Sequence, residues 1–221
     1  MRSAKKISDL EIVFKKIRKE YHFRKLSRKD LTPNPWNQFP RWFGQAVSHK
    51  DPNVNIMMLA TSAKNVVTTR CVLLKGFDER GLLFHSNMGS KKIKQIEINP
   101  RASLCFYWPT MERQINVCGR VKKISREEAE KYFHSRPREA RIAAWCSKQS
   151  GVLQNREELD QRFDQTKKKF EGRSIPCPPY WAGFRLLPEE FEFWQGRANR
   201  LNDRFRYRLA RGVWRIERFE P

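Results

Sequence analysis

Hydrophobic positions change their period twice along this chain. Over residues 8–20, Leu10, Val13, Phe14 and Ile17 recur at helical spacing behind Ser8 as a possible cap, which predicts a short and strongly basic amphipathic helix. Residues 22–35 show no period and end on Pro33 and Pro35, so they read as a linker. Asn34-Pro35 then opens a second helix whose apolar face is Trp36, Phe39, Trp42, Phe43 and Val47, placed to cover one end of a core. From residue 55 to 124 the pattern becomes that of strands. Stretches 55–62, 66–76, 81–86, 102–108 and 114–124 are rich in Val, Ile, Leu, Phe and Thr and are joined by short turns, with one helical insert at 90–99. Short connections favour antiparallel pairing, because a parallel crossover needs a dozen or more residues.

A helical section follows. Ser125-Arg126-Glu127-Glu128 is a capping-box pattern opening a helix through Tyr132 and Phe133; Pro137 starts another to about Trp145, and a third covers 157–170. Pro176, Pro178 and Pro179 close the section, and strands resume at 182–187, 191–195 and 213–219. The pattern predicts an α+β fold built on an antiparallel, barrel-like sheet with flanking helices. It divides into a basic N-terminal extension with a short helix, residues 1–34, and a single domain, residues 35–221.

Charge narrows the partners. The 221 residues carry 46 Lys+Arg against 24 Asp+Glu, a formal charge of +22, which attracts polyanions. Nucleic acid, an anionic membrane and phosphorylated metabolites all qualify, and any single basic run reads equally well as a solvated face. No helix-turn-helix, RNP or zinc pattern accompanies the charge, so no specific nucleic-acid partner is expected. No apolar run approaches the ~18 residues that span a bilayer, and the basic N-terminus lacks an apolar signal core; the expectation is a cytoplasmic protein without a membrane partner. Cys71, Cys105, Cys118, Cys146 and Cys177 form no CxxC pair and are odd in number, so they read as small core residues rather than as zinc ligands or a disulfide framework.

Several segments concentrate chemistry. Phe191, Phe193 and Trp194 form an apolar patch followed within ten residues by Arg197, Asn199, Arg200, Asn202, Asp203 and Arg204, a combination suited to an aromatic, anionic ligand and equally to a strand with a salt-bridged turn. Arg70 and Lys75 sit in an otherwise apolar strand; five apart, they point to opposite faces with Cα atoms roughly 16 Å apart. They can meet opposite ends of an elongated ligand if the strand bends, or end in solvent. His85-Ser86-Asn87-Met88-Gly89-Ser90-Lys91-Lys92 leads from a strand into a helix, where free amides, hydroxyls and two lysines make an anion site; lysines in a first turn run against the helix dipole unless an anion offsets them. Gln114 offers an amide to a ring carbonyl or ring nitrogen. Tyr132 and Arg136, four apart, share a helical face, and an arginine fork suits phosphate. His134 has no metal-ligand spacing around it and is expected to pack; no metal site is expected. Gln149-Ser150 follows Lys148 in a turn.

Taken in order, the motifs RCVLLK (70–75), SNMGSKK (86–92), ERQ (112–114), KYFHSRPR (131–138), SKQS (147–150), FEFWQG (191–196), NRLNDR (199–204) and a terminal RFEP resemble those of the pyridoxamine 5'-phosphate oxidase family from about residue 14 to residue 221. The resemblance implies an FMN-binding split β-barrel, working as a homodimer with FMN between subunits. It implies oxidation of pyridoxamine 5'-phosphate or pyridoxine 5'-phosphate to pyridoxal 5'-phosphate, with hydride passing to flavin N5 and dioxygen returning as hydrogen peroxide. Carried over by motif, Arg70, Ser86, Lys91, Lys92 and Ser150 hold the FMN phosphate region, and Lys75, Gln114, Gln149, Trp194 and Arg204 contact the rest of the cofactor. Cys71, Val72, Leu73 and Leu74 of RCVLLK, and His85, join the cofactor-binding set. Lys75, Tyr132, Arg136, Arg200, Leu201 and Asn202 match substrate contacts, with Arg200 and Asn202 as positioning groups and no side chain assigned as a certain catalyst. Residues 18–21 resemble a segment that can fold over the substrate.

Three positions depart from the family pattern: Asn202 stands where histidine is usual, Ala140 where a small hydroxyl residue follows the SRP motif, and His85 where Tyr or Phe is usual. Asparagine hydrogen-bonds but exchanges no proton near neutral pH. These changes bear on substrate choice. They leave open a related split-barrel flavin oxidase acting on another substrate, such as the phenazine-pathway oxidases, or a non-catalytic FMN- or pyridoxal-phosphate-binding protein.

Overall fold

A computed structural model describes residues 19–221. Of the helix expected over residues 8–20, only Lys19 and Glu20 fall inside that range, and they are not helical. In chain order the elements are helix α1 (Pro35–Ser48), strands β1 (Ile56–Ala63), β2 (Val66–Leu73), β3 (Gly76–Asp78) and β4 (Gly81–Asn87), helix α2 (Lys91–Ile98), strands β5 (Arg101–Trp108) and β6 (Arg113–Lys123), helices α3 (Arg126–Ser135), α4 (Arg138–Cys146) and α5 (Arg156–Lys169), and strands β7 (Trp181–Gln195), β8 (Asp203–Ala210) and β9 (Val213–Phe219).

All pairings are antiparallel, in the order β2-β1-β5-β6-β7-β4-β3, with β8 on β7 and β9 on β8. β7 organises the sheet. Its first half pairs with β4, its second half with β8, and its other edge runs along β6 from Phe184 to Gln195. The sheet therefore branches, and it does not close on itself. The two strands expected at 182–187 and 191–195 are this single strand: the register against β6 slips between Cys118 and Gly119, leaving Glu189 as an extra residue, so Pro188 is carried in a bulge instead of ending the strand.

Three further differences have local causes. The strand expected over 66–76 stops at Leu73, where Leu74 N–H turns to Asn55 O (2.8 Å) and Lys75 N–H to Leu83 O (2.8 Å) before β3 begins. β8 occupies a stretch whose arginines suggested a solvated turn; on it Phe205 and Tyr207 point into the core while Arg204, Arg206 and Arg208 alternate outward. The linker expected at 22–35 is instead docked, with Leu26 and Leu31 buried and Leu26 N–H donating to Asp203 Oδ2 at 3.0 Å.

Two cores result. In the larger, the Asn34-capped helix α1 lays Phe39 and Trp42 on the sheet, edge to face with Phe106 (5.3 Å) and Phe193 (5.1 Å). The smaller gathers Phe133, Ile142, Cys146, Phe170, Ile175 and Trp181 under α3, α4 and α5. Of the five cysteines, only Cys146 and Cys177 are core residues; strand alternation turns Cys71 and Cys118 outward and leaves Cys105 partly covered. No helix among the described residues is long and apolar enough to cross a membrane.

Candidate functional site

Where β2, β4 and α2 meet α3 and the 147–151 turn, a cavity of about 710 Å³ opens. Its wall includes Thr68, Thr69, Arg70, Cys71, Val72, Leu73, Lys75, His85, Lys91, Lys92, Tyr132, Arg136, Gln149, Ser150 and Trp181. The size matches that of small-molecule sites. Arg70 and Lys75 share this cavity, contrary to the opposite-face expectation, because β2 ends between them and the chain folds back toward β4.

Polar contacts fix the cationic side chains. The Arg70 guanidinium donates to Thr61 Oγ1 (2.6 Å), Leu59 O (3.2 Å) and Thr68 Oγ1, and both threonine hydroxyls donate onward to Gln95 Oε1 (2.7 and 2.6 Å). Gln95 lies on α2, so one network ties Arg70 to the helix that carries Lys91 and Lys92. Lys92 is buried and donates to Ser86 Oγ at 3.1 Å; Ser86 Oγ also donates to Gln149 Oε1 (3.1 Å), and Lys91 N–H donates to Ser150 Oγ (3.2 Å). The turn bearing Gln149 and Ser150 is thereby pinned to the start of α2, with Ser150 itself in the left-handed region at φ 71°.

No acid lines the cavity, and among the described residues no carboxylate pairs with Arg70, Lys75, Lys91, Lys92 or Arg136. Burial lowers the pKa of Arg70 and Arg136; burial and then the neighbouring Arg70 charge lower that of Lys92. Arg136 lies over the Trp181 ring at 5.3 Å and its Nη1 is buried without a partner. It caps α3 in extended backbone rather than lying on the helix, yet still reaches the cavity beside Tyr132. A buried cation with no carboxylate partner among the described residues, as Lys92 is at the start of α2, is costly unless an anion joins it. The donor set fits a phosphate, and the cavity's aromatic wall fits a ring attached to it.

His85 is stacked between Tyr132 (4.3 Å, 16°) and Trp181 (4.7 Å, 11°), with both ring nitrogens buried and unpartnered. Burial, then Arg136 and Lys75, push its pKa down to about 4, so the imidazole is neutral. Trp181 was not singled out from the sequence, although its place after the proline run and before a strand is a usable signal. Thr68 was also missed; its spacing of two from Arg70 puts it on the same strand face. His134 is exposed at the end of α3, edge to face with the Phe133 ring, because the helix turns that position away from the core.

The remaining predicted residues lie elsewhere. Leu74 is buried in the larger core and Ser86 lies beneath the cavity floor. Gln114, Trp194 and Arg204 are direct cross-strand neighbours on β6, β7 and β8 and form a row on the face opposite the core. Phe191 and Phe193 do not share that surface: alternation sends them inward, where both are fully buried. Arg204 donates to Glu192 Oε1 at 2.8 Å, which raises its pKa. Arg200, Leu201 and Asn202 follow β7 in a tight loop where Asn199 (φ 57°) and Arg200 (φ 60°) are left-handed, and Asn202 Oδ1 accepts from Arg197 N–H at 3.0 Å. None of these six lines the 710 Å³ cavity. No cluster of three His, Cys, Asp or Glu side chains suited to a metal occurs among the described residues.

Comparison with known proteins gives concordant matches. Residues 48–170 match the family profile described as pyridoxamine 5'-phosphate oxidase, and residues 181–221 match the pyridoxine 5'-phosphate oxidase C-terminal dimerisation region. A Nostoc punctiforme protein named pyridoxine/pyridoxamine 5'-phosphate oxidase is 44% identical over 207 residues, covering 93% of this chain and 97% of its own length. One of the same name from Rubrobacter xylanophilus is 45% identical over 206 residues, covering 93% and 95%. Among solved structures, PhzG from Burkholderia lata, in complex with tetrahydrophenazine-1-carboxylic acid, superimposes with a TM-score of 0.85 at 25% identity over 92% of this chain and all of that one (100%). A pyridoxamine 5'-phosphate oxidase-related, FMN-binding protein of Nostoc punctiforme shares the fold with a TM-score of 0.69 at 20% identity, covering 86% and 100%. The open antiparallel sheet with flanking helices is thus the split β-barrel.

Proposed function

The chain belongs to the pyridoxamine 5'-phosphate oxidase family, and from that membership we propose that it is an FMN-dependent oxidase converting pyridoxamine 5'-phosphate or pyridoxine 5'-phosphate to pyridoxal 5'-phosphate. The observation that carries the reading is the cavity whose five cations, Arg70, Lys75, Lys91, Lys92 and Arg136, have no acidic counterpart among the described residues. FMN, when bound, supplies the hydride acceptor and the reactivity toward dioxygen that yields hydrogen peroxide.

The protein's part is binding and alignment. The α2 amides, Lys91, Lys92, Arg70 and the Ser86 and Ser150 hydroxyls take the cofactor phosphate, with Gln149 holding that turn in place. Tyr132, Arg136 and Lys75 take the substrate, and its phosphate on an arginine fork converts remote binding energy into orientation of the reacting carbon. Gln114, Trp194, Arg204, Arg200, Leu201 and Asn202 complete the site from the second subunit of a homodimer, a role supported by the match of residues 181–221 to a dimerisation region. The Asn202 amide oxygen already accepts Arg197 N–H, which closes the loop, and its NH2 group remains a donor toward substrate.

The test is the visible spectrum of the purified protein with FMN, followed anaerobically by pyridoxamine 5'-phosphate and then air. A flavin band that bleaches and returns, with pyridoxal 5'-phosphate formed, is the expected result. A bound flavin that this substrate cannot bleach, but another reduced aromatic substrate can, transfers the reading to a related split-barrel flavin oxidase with a different substrate, in keeping with the fold this chain shares with PhzG.

A further inference from the structure

Residues 20–26 contact Trp194 and residues one or two positions from Gln114, Arg200 and Arg204, all of which lie outside the cavity. Glu20 Oε2 accepts Asn199 N–H at 3.0 Å, in the loop that carries Arg200. The Tyr21 ring meets Trp194 edge to face at 5.5 Å and lies so close over Gly196 that a Cβ there would come within 2.6 Å of its Cγ. Glu112 Oε2 accepts both His22 N–H (2.7 Å) and Phe23 N–H (2.9 Å). Leu26 N–H donates to Asp203, the residue preceding Arg204.

Glu112 is the hub of these contacts. It is left-handed at φ 52°, a conformation that is strained for a non-glycine residue and persists only where surroundings hold it. That conformation turns its carbonyl to Gly196 N–H (2.8 Å) and Gln195 Nε2 (3.1 Å) while its carboxylate faces the 20–26 segment. One residue thus joins the start of β6, the end of β7 and the crossing segment. At the far side, Glu20 braces a loop with two consecutive left-handed residues, Asn199 and Arg200, which Asn202 closes from within.

We propose that Glu112 and Glu20 are positioning residues that clamp segment 20–26 to the 197–202 loop and to Trp194, and so present Arg200 to the substrate in one geometry. Each carboxylate accepts main-chain N–H groups. The proposal rests on the oxidase reading above. Freed from the clamp, Arg200 samples other orientations, which costs affinity and leaves the chemistry of bound substrate intact.

The experiment compares Glu112→Ala, Glu112→Gln, Glu20→Ala and Arg200→Lys as full-length, FMN-loaded proteins, by kinetics with pyridoxine 5'-phosphate and by trypsin cleavage after Lys19, Arg24 and Lys25. Loss of two charge-assisted hydrogen bonds in Glu112→Ala raises KM by about ten-fold with kcat within about two-fold, and speeds cleavage comparably. Glu112→Gln, which keeps an acceptor oxygen, recovers most of both, and the exposed Glu20→Ala shows the same pattern more weakly without a fold defect. Unchanged KM and cleavage in Glu112→Ala and Glu20→Ala, with Arg200→Lys impaired, overturn the clamp and leave the oxidase reading standing. If Arg200→Lys is also unimpaired, the assignment of Arg200 falls and the clamp falls with it.

Discussion

His85 carries a clear energetic signature among single residues. A neutral imidazole between Tyr132 and Trp181, with two unpartnered nitrogens and facing Arg136 and Lys75, disfavours the proton that the unfolded chain accepts readily. Its folded pKa of about 4 lies below the ordinary 6.5, so the unfolded state binds more protons between those values. The associated stability is complete above pH 6.5 and is lost as pH falls toward 4. Urea titrations of the FMN-free protein at pH 7.5 and 5.0 should show His85→Phe losing about 1–2 kcal/mol less than the parent over that interval. Equal losses would mean that His85 titrates normally. The sequence displayed the cations of this region plainly, since Lys91 and Lys92 oppose the helix dipole in the first turn. It could not display the aromatic sandwich, because Trp181 and Tyr132 reach His85 from segments about fifty residues or more away in the chain.

Among elements, β7 shows where local pattern falls short. Leu187-Pro188-Glu189 looks like a break, and only the register against β6 reveals that one extra residue is absorbed opposite Gly119. Gly119 makes this possible: a Cβ there would sit 2.0 Å from Leu187 O and 3.0 Å from Pro188 Cα, backbone atoms that cannot move without separating the strands. Gly119→Ala should therefore destabilise the protein by about 3 kcal/mol, read as a lower urea midpoint at unchanged m. A midpoint within error of the parent would show the bulge to be loose. Helix α1 was legible by contrast, because Asn34 as cap, Pro35 in the first turn and a regular apolar face are all local signals, and the side chain of Asn34 does accept Trp36 N–H at 2.9 Å. β8 was hidden by its arginines, whose pairing with Glu192, Glu190 and Glu217 depends on neighbouring strands.

At the scale of the whole molecule, the motif residues fall into two groups: the cation-lined cavity, and the row and loop of Gln114, Trp194, Arg204 and Arg200 that do not line it. Sequence order gives no hint of this division, since both groups are scattered along the chain. Apolar residues on β1 and β2 (Met58, Val66, Val67, Leu73) and on the β8–β9 hairpin (Leu209, Val213) are exposed in the single chain, and residues 181–221 match a dimerisation region. If the cavity of one subunit is completed by the row of the other, defects in the two groups complement. Lys92→Ala spoils the cavity and Arg204→Ala the row, so each homodimer should retain less than about a twentieth of parental activity. After subunit exchange at equal concentrations, half the dimers are mixed and each mixed dimer holds one intact site, so about a quarter of parental activity should return. No recovery, with exchange demonstrated independently by mass-labelled subunits, would place both groups in the service of a site within one chain.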